Sequence, residues 1–280
     1  MKTELAKLAT AGVVAFSACV SAHAGSVTQP GETVGIATGS PLAPGWYFID
    51  TLDWGVRSTG NGNVAEGVNI PVIAWSTPWM LWGARVQFIA AVPEAEVGTL
   101  NNPGTRYEYG FFNPFFAGQL AWDLGHTGWS FSYLLGGYAG VDTPVAFQSS
   151  SLNQRAALSY TGYGWDLTAN VIYGTHFNDN TDPDFINIDL TATKKFGNWE
   201  LGLVGFGSSD LNHPEFELTG RQSQFALGGL VGYNFGPVIL QAYLTREVAE
   251  SNYGGLDTRF WGRIIIPVLN PPPAAPLYPR

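Results

Sequence analysis

Cysteine is all but missing from this chain: there is one in 280 residues, Cys19. Methionine occurs twice, and charged residues make up only 12 %. Beyond residue 24 no apolar run approaches the ~20 residues that a membrane helix needs. Each shortage excludes something. Without a second cysteine there is no disulfide framework. With 13 basic against 22 acidic residues, the chain is a poor partner for nucleic acid. No spread of helical periodicity offers an ordinary helical bundle.

The N-terminus is a leader. Lys2 and Lys7 precede an apolar run from Leu8 to Val20, and Ala22-His23-Ala24 supplies a small-x-small cleavage site. A lipoprotein cut before Cys19 fits less well, because Phe16 stands where that signal wants a smaller residue. Cleavage after Ala24 removes the cysteine and leaves 11 basic and 21 acidic residues, a net charge of −10.

What is plentiful is aromatic residues (14 %) and glycine (35). The aromatics are distributed with a period of two. In "MLWGARVQFIAAVP", residues 80–93, Met80, Trp82, Val86, Phe88 and Val92 share one parity, and Arg85 and Gln87 share the other. Such alternation means a strand with two different environments on its two sides. The rhythm recurs at 46–57, 67–76, 80–93, 111–124, 127–141, 151–161, 163–176, 184–196, 198–209, 221–235, 237–250 and 256–268, which predicts twelve strands.

The connections decide which face is wet. Short turns are expected near Thr77-Pro78, Gly125-His126, Gly162, Gly197-Asn198 and Gly236-Pro237. They alternate with longer connections at 58–66, 94–110, 142–150, 177–183, 210–220 and 251–255, where most of the acids collect. Tight periplasmic turns and long external loops define an all-β, transmembrane, antiparallel up-and-down β-barrel. The oily parity then faces lipid, and Arg85 and Gln87 face a polar interior. The expected organisation is a signal peptide (1–24), an N-terminal segment (25–45), a barrel (46–268) and a Pro-rich tail (269–280). Residues 25–45 are long enough either to plug the lumen or to trail in the periplasm.

The charged candidates for the lumen are Asp53, Arg85, Asp123, Arg155, Asp166, Asp189, Arg259 and Arg263, with Glu200. The uncharged ones are Gln119, Asn170, Gln241 and Tyr243, with Asn187. Such a set either selects solutes at a polar constriction or simply pairs up inside a narrow barrel. The first strand, "GWYFIDTLDWGVRS", carries an acid on each parity, so a β-bulge near Thr51 is expected to turn both Asp50 and Asp53 inward. Closure sets the last strand beside the first, with Asp53 and Arg263 as the expected seam pair.

"PGETVGIATGSPLAPGWYFIDTLDWG" at 30–55, "VNIPVIAWSTPW" and "NPFFAGQLAWDLG" resemble the MetA-pathway of phenol degradation family. That resemblance implies an outer-membrane barrel taking up small hydrophobic or aromatic molecules, with outer-membrane lipid around it. It implies no catalytic residue and no cofactor. The ending "NPPPAAPLYPR" departs from barrels that close on an aromatic residue.

Two other classes stand against a channel: an outer-membrane hydrolase and a structural barrel. A hydrolase needs a nucleophile beside a base, and His126, His176 and His213 have no serine at short spacing on the same face. "NDNTDPD" at 178–184 has alternating oxygen ligands for calcium, but Pro183 stands where the loop needs a glycine. The sequence is silent on oligomeric state.

Overall fold

A computed structural model describes residues 25–59, 62–100, 107–177, 182–211 and 220–269. The expected signal peptide, the Pro-rich tail from 270 onward, His213 and most of the calcium-like loop lie outside the described residues. Fourteen strands form one antiparallel sheet that closes on itself. They are β1 (Gly45–Thr59), β2 (Gly62–Leu81), β3 (Ala84–Ala91), β4 (Glu94–Leu100), β5 (Glu108–Phe111), β6 (Phe115–Asp123) and β7 (Trp129–Tyr138). Then follow β8 (Ser151–Tyr160), β9 (Trp165–His176), β10 (Phe185–Phe196), β11 (Trp199–Asp210), β12 (Ser223–Asn234), β13 (Ile239–Ser251) and β14 (Asp257–Leu269).

The fourteen strands make twelve staves. β3 and β4 both pair with β2, at 72–81 and 63–69, so they are one stave interrupted at Val92-Pro93. β5 and β6 are likewise one stave, interrupted at 112–114. Pro93 and Pro114 lack the N–H that an unbroken ladder needs. The gap is bridged by Phe112 N donating to the Pro93 carbonyl (2.7 Å) and Ala139 N to the Pro114 carbonyl (2.9 Å). β1 pairs with both β2 and β14, which closes the barrel.

The outer parity carries the large apolar side chains, among them Leu52, Phe88, Leu135, Leu203, Leu244 and Phe260, all exposed. Near the short-turn end lies a belt of aromatics: Trp46 stacks on Trp75 with centroids 5.2 Å apart, and Trp199 meets Tyr233 edge-on at 4.8 Å. An apolar outer band ending in an aromatic girdle is the surface of a transmembrane barrel.

Four local expectations are corrected. The first short turn is at Trp82-Gly83, both at positive φ (50° and 79°), not at Thr77-Pro78. Residues 77–79 form a bulge inside β2, where Thr77 Oγ1 donates to the Val86 carbonyl (2.8 Å) in place of a ladder bond. Second, the ladders run beyond the expected strand ends: β1 reaches Thr59, β2 starts at Gly62, and much of 94–110 is strand. Third, β1 has no bulge at Thr51: its only register shift is at Trp46/Tyr47, against β14. Asp53 is fully buried inside, while Asp50 shares the outward parity of Leu52 and Trp54 and pairs with Ile264. Fourth, Asp53 does not pair with Arg263; Arg263 lies opposite Thr51, and Arg259 opposite Gly55.

Candidate functional site: a lumen divided by the N-terminal segment

Residues 25–44 lie inside the barrel and run from the long-loop end to the short-turn end. At the top, His176 Nε2 meets the Gly25 carbonyl (2.9 Å); at the bottom, Ser76 Oγ donates to the Leu42 carbonyl (2.8 Å). Successive i+3 bonds, from Glu32 N to Gln29 O, Val34 N to Gly31 O and Ile36 N to Thr33 O, coil the middle tightly. Gly31, at φ +91°, passes so close to the wall that a Cβ there would sit 2.6 Å from the Phe206 ring. Glycine is required at such a point.

One side of this segment is fastened to the wall by polar side chains. Asp189 accepts from Gly31 N (2.9 Å), Thr33 N (3.0 Å) and Thr33 Oγ1 (2.6 Å). Arg155 donates to Glu32 (2.6 Å), Asn153 (2.8 Å) and the Tyr138 hydroxyl (3.2 Å). Asn187 donates to Ser26 Oγ (2.8 Å), and Asn170 to Thr33 Oγ1 (3.0 Å). Gln241 bridges the Gly35 carbonyl (2.8 Å) and Glu200 (3.0 Å). Arg263 spans Thr51 (2.9 Å), the Glu32 carbonyl (2.6 Å) and the Tyr243 hydroxyl (3.0 Å). Val34 packs into a buried cluster with Phe206, Leu230, Tyr243 and Trp261.

The other candidates sit elsewhere. Asp53 forms an ion pair with Arg259, which also reaches Asp257 (2.9 Å) and Glu66 (3.2 Å). Asp166, near the lower end, is buried and accepts from Thr168 (2.6 Å). Gln119 donates to the Thr38 carbonyl (3.1 Å). Arg85 and Asp123 are rim residues instead of lumen residues. Both stand beside turns: Arg85 braces the β2 bulge through the Thr77 carbonyl (3.2 Å), and Asp123 is exposed and pairs with His126 (2.8 Å).

Opposite the fastened side the lumen is apolar, which corrects the expectation of a polar interior. Ile70, Val72, Ala74, Ile89, Ala91 and Leu134 line a cavity of about 150 Å³ between the wall and residues 32–42. Above it lies a second cavity of about 130 Å³, lined by Val68, Ala95, Val97, Phe112, Val145 and Phe147. Glu32, Ile70, Pro93 and Tyr138 border both. The upper cavity is roofed by the loop 139–150, which Asn113 holds in place. Its Nδ2 donates to the Ala139 (2.9 Å) and Phe147 (2.6 Å) carbonyls, and its Oδ1 accepts from Phe147 N (2.9 Å).

Several residues of the site escaped the sequence reading. Arg57 has the inward parity of Asp53 and clamps Glu247 with its two terminal guanidinium nitrogens (2.7 and 2.6 Å) beneath the Tyr253 ring. Burial pushes the Tyr253 phenol well above its ordinary pKa, and the guanidinium over its ring works the other way. Ser149 Oγ lies 3.3 Å from His176 Nδ1 and donates to Asp182 (3.1 Å). With His176 Nε2 turned to Gly25, these contacts fasten the loop 139–150 and the N-terminal segment at the mouth. Among the described residues no cluster of three or more His, Cys, Asp or Glu is placed to hold a metal ion.

Twelve staves, a lipid-facing apolar band and an internal segment define an outer-membrane-type β-barrel with an obstructed lumen. A family model for the MetA-pathway of phenol degradation matches residues 38–264, and the chain belongs to that family. Its fold is similar to that of the COG4313 outer membrane channel from Pseudomonas putida F1, with a TM-score of 0.65 and 13 % identity over 85 % of this chain and 99 % of that one. The β domain of the Bordetella autotransporter BrkA is similar at a TM-score of 0.51 and 14 % identity, over 80 % of this chain and all of that one. A comparison with curated proteins gives no match.

Proposed function

We propose that this protein is a channel in the outer membrane of a Gram-negative bacterium, passing small apolar and aromatic molecules. The observation that carries the reading is the pair of abutting apolar cavities between the N-terminal segment and the wall built by β2, β3, β4, β6 and β7. The charged side chains of the opposite wall are spent on holding the segment and closing the seam, so they present no aqueous path lined with free charge. A twelve-stave bore is intermediate between filled eight-stranded barrels and open sixteen-stranded pores; with a segment inside, it suits small solutes. The family description, and the channel named in its structural relative, agree with this reading.

The test is entry of a radiolabelled arene into cells with and without the protein, beside single-channel conductance in planar bilayers. Expression is expected to speed arene entry while ion conductance stays small. Leu134→Trp, which fills the lower cavity, is expected to abolish the gain. Unchanged arene entry with a large, stable ion conductance would replace this reading with a general hydrophilic pore.

A further inference from the structure

The wall of the lower cavity is unbalanced in its hydrogen bonding. Its guanidinium and Gln119 amide donors are engaged. The three Arg155 nitrogens bind Glu32, Asn153 and Tyr138, and the Gln119 amide binds the Thr38 carbonyl. One acceptor is left over. Asn170 Oδ1 is buried without a partner, as are the Thr38 and Ser40 hydroxyls, which can each donate or accept, and all three residues line this cavity.

The orientation of the Asn170 amide is fixed by chemistry. Thr33 Oγ1 gives its proton to Asp189 at 2.6 Å, so toward Asn170 it can only accept. Asn170 must therefore turn its NH₂ to Thr33, at 3.0 Å, and its oxygen is left over. Asn170 is 2 % exposed, so bulk water does not supply the missing donor. Thr38 is equally fixed: its carbonyl accepts from Gln119 and from Ser132 Oγ (2.8 Å), which leaves the side-chain hydroxyl without a role in the fold. A buried acceptor left unpaired is costly, and a solute that brings a donor removes that cost.

We propose that the lower cavity is a recognition site for a small apolar molecule bearing one O–H or N–H donor, with Asn170 as the specificity-determining acceptor and Thr38 and Ser40 beside it. The ring or alkyl body lies against Ile70, Val72, Ile89 and Leu134, and the donor meets Asn170 Oδ1. A bare hydrocarbon fits the same space and leaves the acceptor unpaired; an ether or ketone can accept from the Thr38 or Ser40 hydroxyl but still leaves Asn170 Oδ1 unpaired. This rests on the apolar-passage reading and names the class of molecule the passage favours.

The test compares 2-naphthol with 2-methoxynaphthalene, which keeps the ring system and the oxygen and loses the donor. Binding to the full chain in proteoliposomes is read by naphthyl fluorescence, with partition into empty vesicles subtracted. One well-made hydrogen bond gives about a tenfold preference for 2-naphthol. Asn170→Leu is expected to bring the two within about twofold by weakening 2-naphthol alone. Because Asn170 also touches Thr33, Thr38→Val provides a second variant that leaves that contact intact; its hydroxyl can serve either molecule, so this change is expected to leave the preference for 2-naphthol in place. Equal binding of the two molecules to the unaltered protein, a preference that survives Asn170→Leu, or one that is lost in Thr38→Val overturns the proposal and leaves the passage standing. If neither molecule binds, the passage reading fails as well.

Discussion

Asp53 on the first strand and Arg259 on the last form an ion pair inside the barrel, across the seam where the sheet closes. Both are buried, and Gln29 of the N-terminal segment donates to the same carboxylate at 3.1 Å. The seam and the internal segment therefore share one acid. Removing one partner of a buried, hydrogen-bonded pair costs about 3–5 kcal/mol. Arg259→Gln is expected to lose stability on that scale, read as the temperature at which the detergent-solubilised barrel loses its folded electrophoretic mobility. Asp53→Asn in the same chain should restore part of the loss. Asp53→Asn and Arg263→Ala should combine additively to within about 0.5 kcal/mol, since Arg263 binds Thr51, Gln241 and Tyr243 instead. Strong coupling between Asp53 and Arg263 would contradict this geometry.

The barrel was legible in the sequence because lipid on one side and a lumen on the other impose a period of two on every stave. Heights and exceptions were harder. "VNIPVIAW" does not alternate, and that was the signal for a stave apolar on both faces; Ile70 and Val72 line the lower cavity from it. Ile89 and Ala91 share the parity of Arg85 and Gln87, so the apolar sector of the lumen is present in the alternation of residues 80–93 as well. Thr77-Pro78 carried a turn signal, yet a bulge also tolerates proline, and the ladder runs on to Trp82-Gly83. Asp50 was misplaced by the assumption that no acid faces outward. On the internal segment, the partners of Asp189 and Arg155 are residues 31–33, which come together with them only through tertiary folding.

Asp50 gives the clearest test of cost on the outer wall. It lies beside Leu52, Leu240 and Ile264, and its Oδ1 has no hydrogen-bond partner. An acid on the lipid face of a barrel costs up to about 2 kcal/mol, depending on depth. Asp50→Leu should therefore raise denaturant resistance in lipid bilayers by about 1 kcal/mol. A loss of stability would mean that this carboxylate holds a partner when the protein is in the membrane.

Asp189 is the principal anchor of the internal segment, with three hydrogen bonds to Gly31 and Thr33. Asp189→Ala removes all three while leaving the ladder of β10 with β9 and β11 intact. The expected result is a folded barrel whose ion conductance is at least about twofold higher and fluctuates as the segment comes and goes, because wider aqueous bores follow from an emptier lumen. Conductance identical to that of the unaltered protein would show that the remaining contacts hold the segment alone.

Asn113 makes three hydrogen bonds to Ala139 and Phe147 at the interrupted stave and is fully buried. Its loss leaves buried backbone groups unpaired, at about 1–3 kcal/mol. Because those groups belong to the loop roofing the upper cavity, Asn113→Ala should loosen the loop before it unfolds the barrel. External protease is then expected to cut within 140–149 while folded mobility persists. A barrel that melts as a whole, with the loop still protected, would show that the loop is not held separately.

The mouth of the lumen tests the leader and the plug together. Small-x-small processing is expected to make Gly25 the first residue, and Gly25 is where the internal segment meets His176 and the buried Pro183. A Cβ at Gly25 would lie 2.3 Å from Pro183 Cγ and 2.5 Å from its Cδ, well inside contact distance. A proline ring cannot swing away like a flexible side chain, so the chain end must move. Gly25→Val is therefore expected to push the first residues out of the mouth, making an N-terminal fluorophore accessible to an external quencher on intact cells. Intact mass should show that cleavage still falls after Ala24. Pro183→Gly in the same chain removes the obstructing ring and should return the fluorophore to protection. If Gly25→Val leaves the N-terminus protected, or if Pro183→Gly fails to reverse its exposure, the segment is not seated against Pro183.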